Sequence, residues 1–344
     1  MVCKVLPPDG ACPGQSTGMA NPVHHRVRMA GANRRAKLDV GRPSKFRAAS
    51  LNVGTLKEKE AEVVETLTRR GIDLCCLQET RLAGSDDANQ ARFIAGKDTM
   101  YKLYWCGNKQ GLGGVGILLA EKWVDKVLKV ERFTDRIMLL KLIIGKAVLT
   151  FIALYAPQVG LPEADKVQFF DQLQATCTTI PSSEVLICLG DWNGHVGAAV
   201  SGYENVHGGH GYSERNTEGV RILEFATAND LFVGNTWFIK RDSHLVTFQS
   251  GDFRTQIDYV LYPKHFRKAV TNVKVIPGEE CASQHRLLVC DLRVQPPPPK
   301  KRKFAPRLRT WKLRDPATVS RLHEVFRLKI GSAASGTAQM VTLG

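Results

Sequence analysis

Apolar and polar positions alternate along residues 46–295 in runs whose lengths separate strands from helices. Residues 48–53 (AASLNV) read as a strand. Residues 57–70 read as a charged amphipathic helix with Ala61, Val64 and Leu67 on one side. Residues 72–77 (IDLCCL) are an apolar run of buried-strand length, and 114–120, 137–144 and 148–155 are further strands. The last two are joined by Gly145 and Lys146, as in a hairpin. A helix over 167–177, a buried strand over 185–189 and a helix over 219–229 follow. Strands over 245–248, 257–261, 270–276 and 287–292 complete the series. Tight strand pairs mixed with helices exclude a purely parallel doubly wound sheet. The pattern predicts an α/β fold, a four-layer sandwich of two mostly antiparallel sheets flanked by helices.

The two ends break this pattern. Residues 1–45 are rich in Gly, Pro, Ala and Arg without hydrophobic period, and read as a disordered basic arm. Pro296–Pro299 form a stiff spacer that closes the domain over 46–295, and Lys300-Lys301-Arg302-Lys303 follows it. That basic run predicts a nuclear location, with the cytoplasm as the alternative. Asp315-Pro316 caps a short helix with Val319, Leu322 and Phe326 on one face. Residues 296–344 therefore read as a Pro-rich basic linker and the start of a truncated downstream segment. The formal charge of +15 divides into +7 over 1–47, −1 over 48–294 and +9 over 295–344. Basic ends on a near-neutral body suit a polyanion, nucleic acid above all, although two solvated arms would look the same.

Composition removes several classes. The longest apolar stretches, 137–144 and 147–156, are too short to cross a bilayer as helices. The N-terminus carries no apolar segment of a secretory signal. Nine cysteines, an odd number without a C-x-x-C pair, point to a reducing compartment rather than a disulfide framework or zinc finger. Residues 111–116 (GLGGVG) match a dinucleotide fingerprint but precede a strand instead of opening a helix, so that reading is rejected. His207 and His210 in VHGGHGY read as part of a mobile surface loop rather than a metal site.

Polar side chains recur where apolar strands end. Asn52 closes the first strand, Gln78-Glu79-Thr80 follows IDLCCL, and Asp191-Trp192-Asn193 follows VLICLG. Asp258 opens IDYVL and His285 precedes the last strand. In an antiparallel sandwich, strands running up end on the rim where strands running down begin. Asn52, Glu79, Asp191, Asp258 and His285 can thus converge in one cleft. Hard oxygen donors without thiolates favour Mg2+, with Mn2+ as a substitute, over zinc. Mg2+ shares its coordination with substrate phosphate, so a phosphate ester is the expected substrate.

The ordered set LNVGT (Asn52), LQET (Glu79), LYAP (Tyr155), GDWN (Asp191, Asn193), IDYV (Asp258) and SQH (His285) resembles the endonuclease–exonuclease–phosphatase superfamily. Within it, the stretches IDLCCLQETRLAG, ERNTEGVRILEFATANDLFVGNT and ASQHRLLVCDLRV are similar to the apurinic-endonuclease-like domain of RTE/BovB-type non-LTR retrotransposons. The resemblance implies a Mg2+-dependent endonuclease that nicks double-stranded DNA by in-line attack of an activated water, acting as a monomer. It implies that Glu79 is the principal metal ligand and that Asn52 orients the metal shell or a nearby acid. Asp191 would orient or deprotonate the water, Asn193 would stabilise the charged phosphorane, and Tyr155 would support the phosphate. His285, held by Asp258, would bind the phosphate as an imidazolium, and Thr247 would contact DNA. Asp191 and His285 both remain candidates for the general base. The superfamily usually reads Ser-Asp-His where this chain has Ser283-Gln284-His285, so Gln284 would offer the metal a carbonyl oxygen without charge. That departure leaves open a catalytically impaired domain that only binds DNA or protein. A phosphatase of the same superfamily is the third reading.

Overall fold

The computed structural model describes residues 44–84, 90–145, 147–278 and 284–294, with residues 316–317, 319–321, 323–325 and 327. The chain runs through β1 (Ser44–Asn52), α1 (Glu60–Arg69), β2 (Leu74–Gln78), β3 (Ala91–Ala95), β4 (Met100–Cys106) and β5 (Val115–Ala120). β6 (Val127–Thr134), β7 (Ile137–Ile144), β8 (Ala147–Tyr155), α2 (Glu163–Thr178), β9 (Val185–Asp191) and α3 (Thr217–Ala228) follow. The last third holds β10 (Leu231–Val233), β11 (Phe248–Ser250), β12 (Phe253–Thr255), β13 (Asp258–Pro263), β14 (Val270–Val275) and β15 (Leu288–Val294).

Two sheets form. One has seven strands in the order β14-β15-β1-β2-β5-β4-β3, and the other six in the order β10-β13-β9-β8-β7-β6. β1 with β2 and β8 with β9 are parallel pairs, and the other pairs are antiparallel. Each parallel pair needs a crossover, and α1 and α2 supply them. Three apolar cores glue the layers. Phe46, Cys76, Ile117, Phe151 and Leu189 fill the space between the sheets. Val63, Val64 and Leu67 of α1 pack on Leu51, Cys75 and Leu118 of the first sheet. Phe169 and Leu173 of α2 and Ile222 and Leu223 of α3 pack on Ile152, Cys188 and Tyr259 of the second. The four-layer sandwich expected from the sequence is the observed fold.

Several details differ from the sequence reading. Ala61 lies on the exposed side of α1, and the buried stripe is Val63, Val64 and Leu67. Residues 245–247 are buried but not a strand; a helical turn at Asp242–His244 leads into them and the strand starts at Phe248. β3, β4 and β6 were not foreseen, because their outward residues break the alternation. His207 is buried: its Nε2 lies 3.0 Å from the Gly197 carbonyl and its Nδ1 accepts from Gly209 N–H at 3.1 Å, so it locks its loop. None of the six described cysteines forms a disulfide. Among the described residues no helix is long and apolar enough to cross a membrane. Residues 1–43 of the basic arm, the proline run, Lys300–Lys303, Leu322 and Phe326 lie outside the described residues; Ser44 and Lys45, read as the end of the arm, already belong to β1, and 316–317 and 319–321 are helical.

Candidate active site

Strand register builds one rim. β1 ends at Asn52 beside Gln78, the last residue of its parallel neighbour β2. Glu79 follows at φ +51°, a left-handed turn that swings its carboxylate off the strand. In the other sheet Tyr155 ends β8 opposite Asp191, which ends β9. Asp258, opening antiparallel β13, is paired with the same Asp191. His285 lies just before β15 and bridges to Phe248. Up-running strands and one down-running strand thus deliver their polar ends together, as strand polarity requires.

The side chains interlock. Asn52 Nδ2 donates to Glu79 Oε1 at 2.9 Å and to Asp191 Oδ2 at 3.0 Å. Its Oδ1 accepts from Gly54 N–H at 3.0 Å, which fixes the amide orientation. Tyr155 OH donates to Glu79 Oε1 at 3.1 Å and accepts from Gln158 Nε2 at 3.3 Å. The Arg136 guanidinium sits 5.0 Å above the Tyr155 ring. Asn193, at φ +49°, donates its backbone N–H to Asp191 Oδ1 at 3.0 Å and its side chain to the Ala156 carbonyl at 2.8 Å. His285 Nδ1 lies 3.0 Å from Asp258 Oδ2, and its Nε2 lies 3.8 Å from Asp191 Oδ2. The ligand atoms of Asp191, Asp258 and His285 fall within 4.8 Å of one another, a spacing that a metal ion could bridge only with a neutral imidazole.

Burial sets the protonation states. Asp191 is pushed up to about 7, by desolvation first and the neighbouring Asp258 charge second, against the pull of His285 and the hydrogen bonds from Asn52 and Asn193. For His285, burial opposes the charge, but Asp258, then Asp191 and Glu79, outweigh it and raise the imidazole to about 9. It is therefore an imidazolium at neutral pH. Burial and the Glu79 and Asp191 charges hold the Tyr155 hydroxyl protonated.

A cavity of about 710 Å3 opens over this group. It is lined by Asn52, Glu79, Asp191, Asn193, Gln284 and His285, and also by Arg81, Gln158, His195, Phe248, Phe253 and Thr255. The latter were missed from sequence. Arg81 and Gln158 stand two and three residues beyond Glu79 and Tyr155, directly after their motifs, which was the available signal. The two phenylalanines carried none, since short aromatic runs read as core.

Two sequence assignments change. Thr247 is fully buried at 0% exposure, and its hydroxyl accepts from the backbone N–H groups of Ile257 and Asp258 at 2.9 and 3.1 Å. It anchors the start of β13 and does not reach DNA. Gln284 is exposed and donates through Nε2 to Ser250 Oγ at 2.8 Å, so it ties down a hairpin instead of joining the carboxylates. Asn52, for its part, spends its amide on the two carboxylates and its carbonyl on Gly54, so it orients ligands rather than being one.

The chain belongs to the Endonuclease/Exonuclease/phosphatase family, whose sequence profile matches residues 49–285. The activities that name this family are hydrolytic. Craniofacial development protein 2 of Tragulus javanicus is 29% identical over 249 residues, 71% of this chain and 42% of that protein. The Bos taurus protein is 29% identical over the same length, 40% of its own. The chain thus spans about two-fifths of these curated relatives. In fold it is similar to AP endonuclease LMAP from Leishmania major, with TM-score 0.56, 15% identity, and coverage of 72% of this chain and 88% of that one. The Xenopus laevis APE2 catalytic domain gives TM-score 0.55 at 16% identity, covering 72% and 93%. The endonuclease domain of TRAS1, a telomere-specific non-LTR retrotransposon, gives 0.51 at 14%, covering 73% and 99%.

Proposed function

We propose that this cleft hydrolyses phosphodiester bonds of double-stranded DNA, as a Mg2+-dependent endonuclease for which Mn2+ can substitute. The observation that carries the reading is the convergence of Glu79, Asp191 and His285, from both sheets, on one cavity, with Asp258 behind His285. The donor set fits a divalent cation. Three carboxylates face one imidazolium, and Oδ1 of Asp258 is buried with no hydrogen-bond partner among the described residues. An imidazolium cannot ligate a cation, so Glu79 and Asp191 would hold it. A bound ion supplies charge neutralisation at the phosphate oxygens and acidifies a water.

The remaining chemistry falls to the chain's own groups. His285, charged because Asp258 holds its Nδ1, directs Nε2–H into the cleft as a donor to a phosphate oxygen. Asp191 is fixed by Asn52 and the Asn193 backbone, and once ionised it can orient a water and take its proton. Tyr155 stays protonated and steadies Glu79. Asn193, turned by its left-handed backbone, lines the cavity beside Asp191, and the second hydrogen of its side-chain amide, the first being given to the Ala156 carbonyl, would be the donor for the charge that develops on phosphorus-bound oxygens.

A supercoiled plasmid tests this reading. Nicked circles should accumulate with Mg2+ and not with chelator, and a polymerase should extend the nicks directly from their 3′-hydroxyls. Salt-sensitive binding with no metal-dependent product would instead leave a binding domain, and release of inorganic phosphate from inositol phosphates without nicking would point to a phosphatase. The basic ends support a nucleic-acid substrate and Lys300–Lys303 a nuclear location.

A further inference from the structure

β11 and β12 form a separate two-stranded sheet at the cleft wall. Their register pairs Phe248 with Thr255, Gln249 with Arg254 and Ser250 with Phe253. Directly opposed residues share a face and alternate residues change face. Phe248, Ser250, Phe253 and Thr255 therefore share one face, and Gln249 and Arg254 the other. The aromatic face is the one turned inward, for Phe248, Phe253 and Thr255 all line the cavity.

Phe253 is 60% exposed there, an apolar ring held in water at the mouth of a polar cleft. The Phe248 ring lies edge-on to it at 6.5 Å, and the His285 ring lies edge-on to Phe248 at 5.0 Å. A chain of rings thus runs from solvent to the imidazolium assigned to the phosphate. The wall is not a loose loop. Gln249 N–H donates to the Gln284 carbonyl at 2.9 Å, Gln284 Nε2 donates to Ser250 Oγ at 2.8 Å, and Thr255 Oγ1 lies 2.7 Å from His195 Nε2. The half-exposed Arg81 also lines the cavity and pairs with Glu79 Oε2 at 3.4 Å.

We propose that this hairpin is a base-stacking wall: Phe253 receives an unstacked nucleobase of the strand whose phosphate reaches His285, and Gln284 is the positioning residue that holds the wall at the right distance. The occupant is a nucleobase because its neighbour in the same cavity, two ring contacts away, is His285, the residue assigned to the phosphate, and a flat π-surface beside a phosphate is what a base presents. The inference rests on the nuclease reading of the cleft and names the feature of the nucleic acid that the cleft grips.

The test uses the full chain in chelator, so that nothing is cut, and a DNA duplex with a single bulged 2-aminopurine, whose fluorescence falls on stacking. Wild type should quench the probe and bind it more tightly than the same duplex with an abasic residue at the bulge. Phe253→Ala should abolish the quench and weaken binding by about tenfold. Phe253→Trp should keep both, and Gln284→Ala should lose part of the quench. With Mg2+, Phe253→Ala should also lower the ratio of duplex cleavage to bis(4-nitrophenyl) phosphate hydrolysis by about tenfold. A merely structural hairpin would lower both rates and leave that ratio unmoved. Equal quenching by wild type and Phe253→Ala, absence of quenching by wild type, or an unmoved ratio each overturns the inference. If wild type cleaves neither substrate yet quenches, the nuclease reading fails and the stacking wall stands.

Discussion

Asn52 sets one amide between two carboxylates, and this is where the site is most sensitive at the scale of a residue. Both Glu79 and Asp191 take a hydrogen bond from the same nitrogen. Asn52→Ala should cost about 1–3 kcal/mol of stability in chelator, read by denaturant unfolding, because the buried Asp191 carboxylate loses a donor, and the half-buried Glu79 keeps only the Tyr155 hydroxyl on the same oxygen. His285 makes a second prediction. In the metal-free cleft its imidazole is charged below about 9, and a cation on Glu79 and Asp191 removes part of what raises it, so metal-supported cleavage should show an alkaline limb that falls below that value. His285→Gln should lower the rate by about 100-fold or more and erase the alkaline limb; a limb that survives would assign it elsewhere. The chemistry of these residues was legible in the sequence because each sits where an apolar run stops. Thr247 and Gln284 were misassigned for the converse reason. Their neighbours in space, Asp258 N–H and Ser250, are 11 and 34 positions away along the chain.

Among the elements, β8 and β9 matter most, since their parallel pairing puts Tyr155 beside Asp191. Gly190 makes the approach possible: a Cβ there would collide with the Leu154 carbonyl oxygen and side chain. Gly190→Ala should therefore push the two strands apart, cost about 2 kcal/mol or more, and lower cleavage together with the melting temperature. Full activity and stability in that variant would show that the strand spacing does not set the site. Central strands such as β7, β8 and β9 were readable as near-continuous apolar runs, since layers cover both faces. β6 and β3 are edge strands in their sheets, and their charged or exposed positions hid them. β11 and β12 have three residues each, too few for a period to register.

On the scale of the whole molecule, the site stores negative charge that the fold alone does not balance, and stability should report it. The folded pKa of Asp191 is raised from 3.8 to about 7, so its contribution is complete below 3.8 and is lost as pH rises through about 7. For His285, raised from 6.5 to about 9, the contribution is complete below 6.5 and is lost as pH rises through about 9. Metal-free protein should thus melt lower with each step toward alkaline pH, and Mg2+, which binds the deprotonated site, should raise the melting temperature more above about pH 7 than below it. A Mg2+ effect independent of pH would separate the cation from Asp191. The layered architecture was legible as a whole because crossovers, hairpin and strand lengths agree with one solution.

The central claim is that Asp191, standing at the junction of β8, β9 and β13, serves a hydrolytic site. Plasmid nicking by wild type and by Asp191→Ala, prepared alike and assayed together in Mg2+, measures it. Metal-dependent nicked circles from wild type and none above background from Asp191→Ala are predicted; equal nicking by the two would contradict the account.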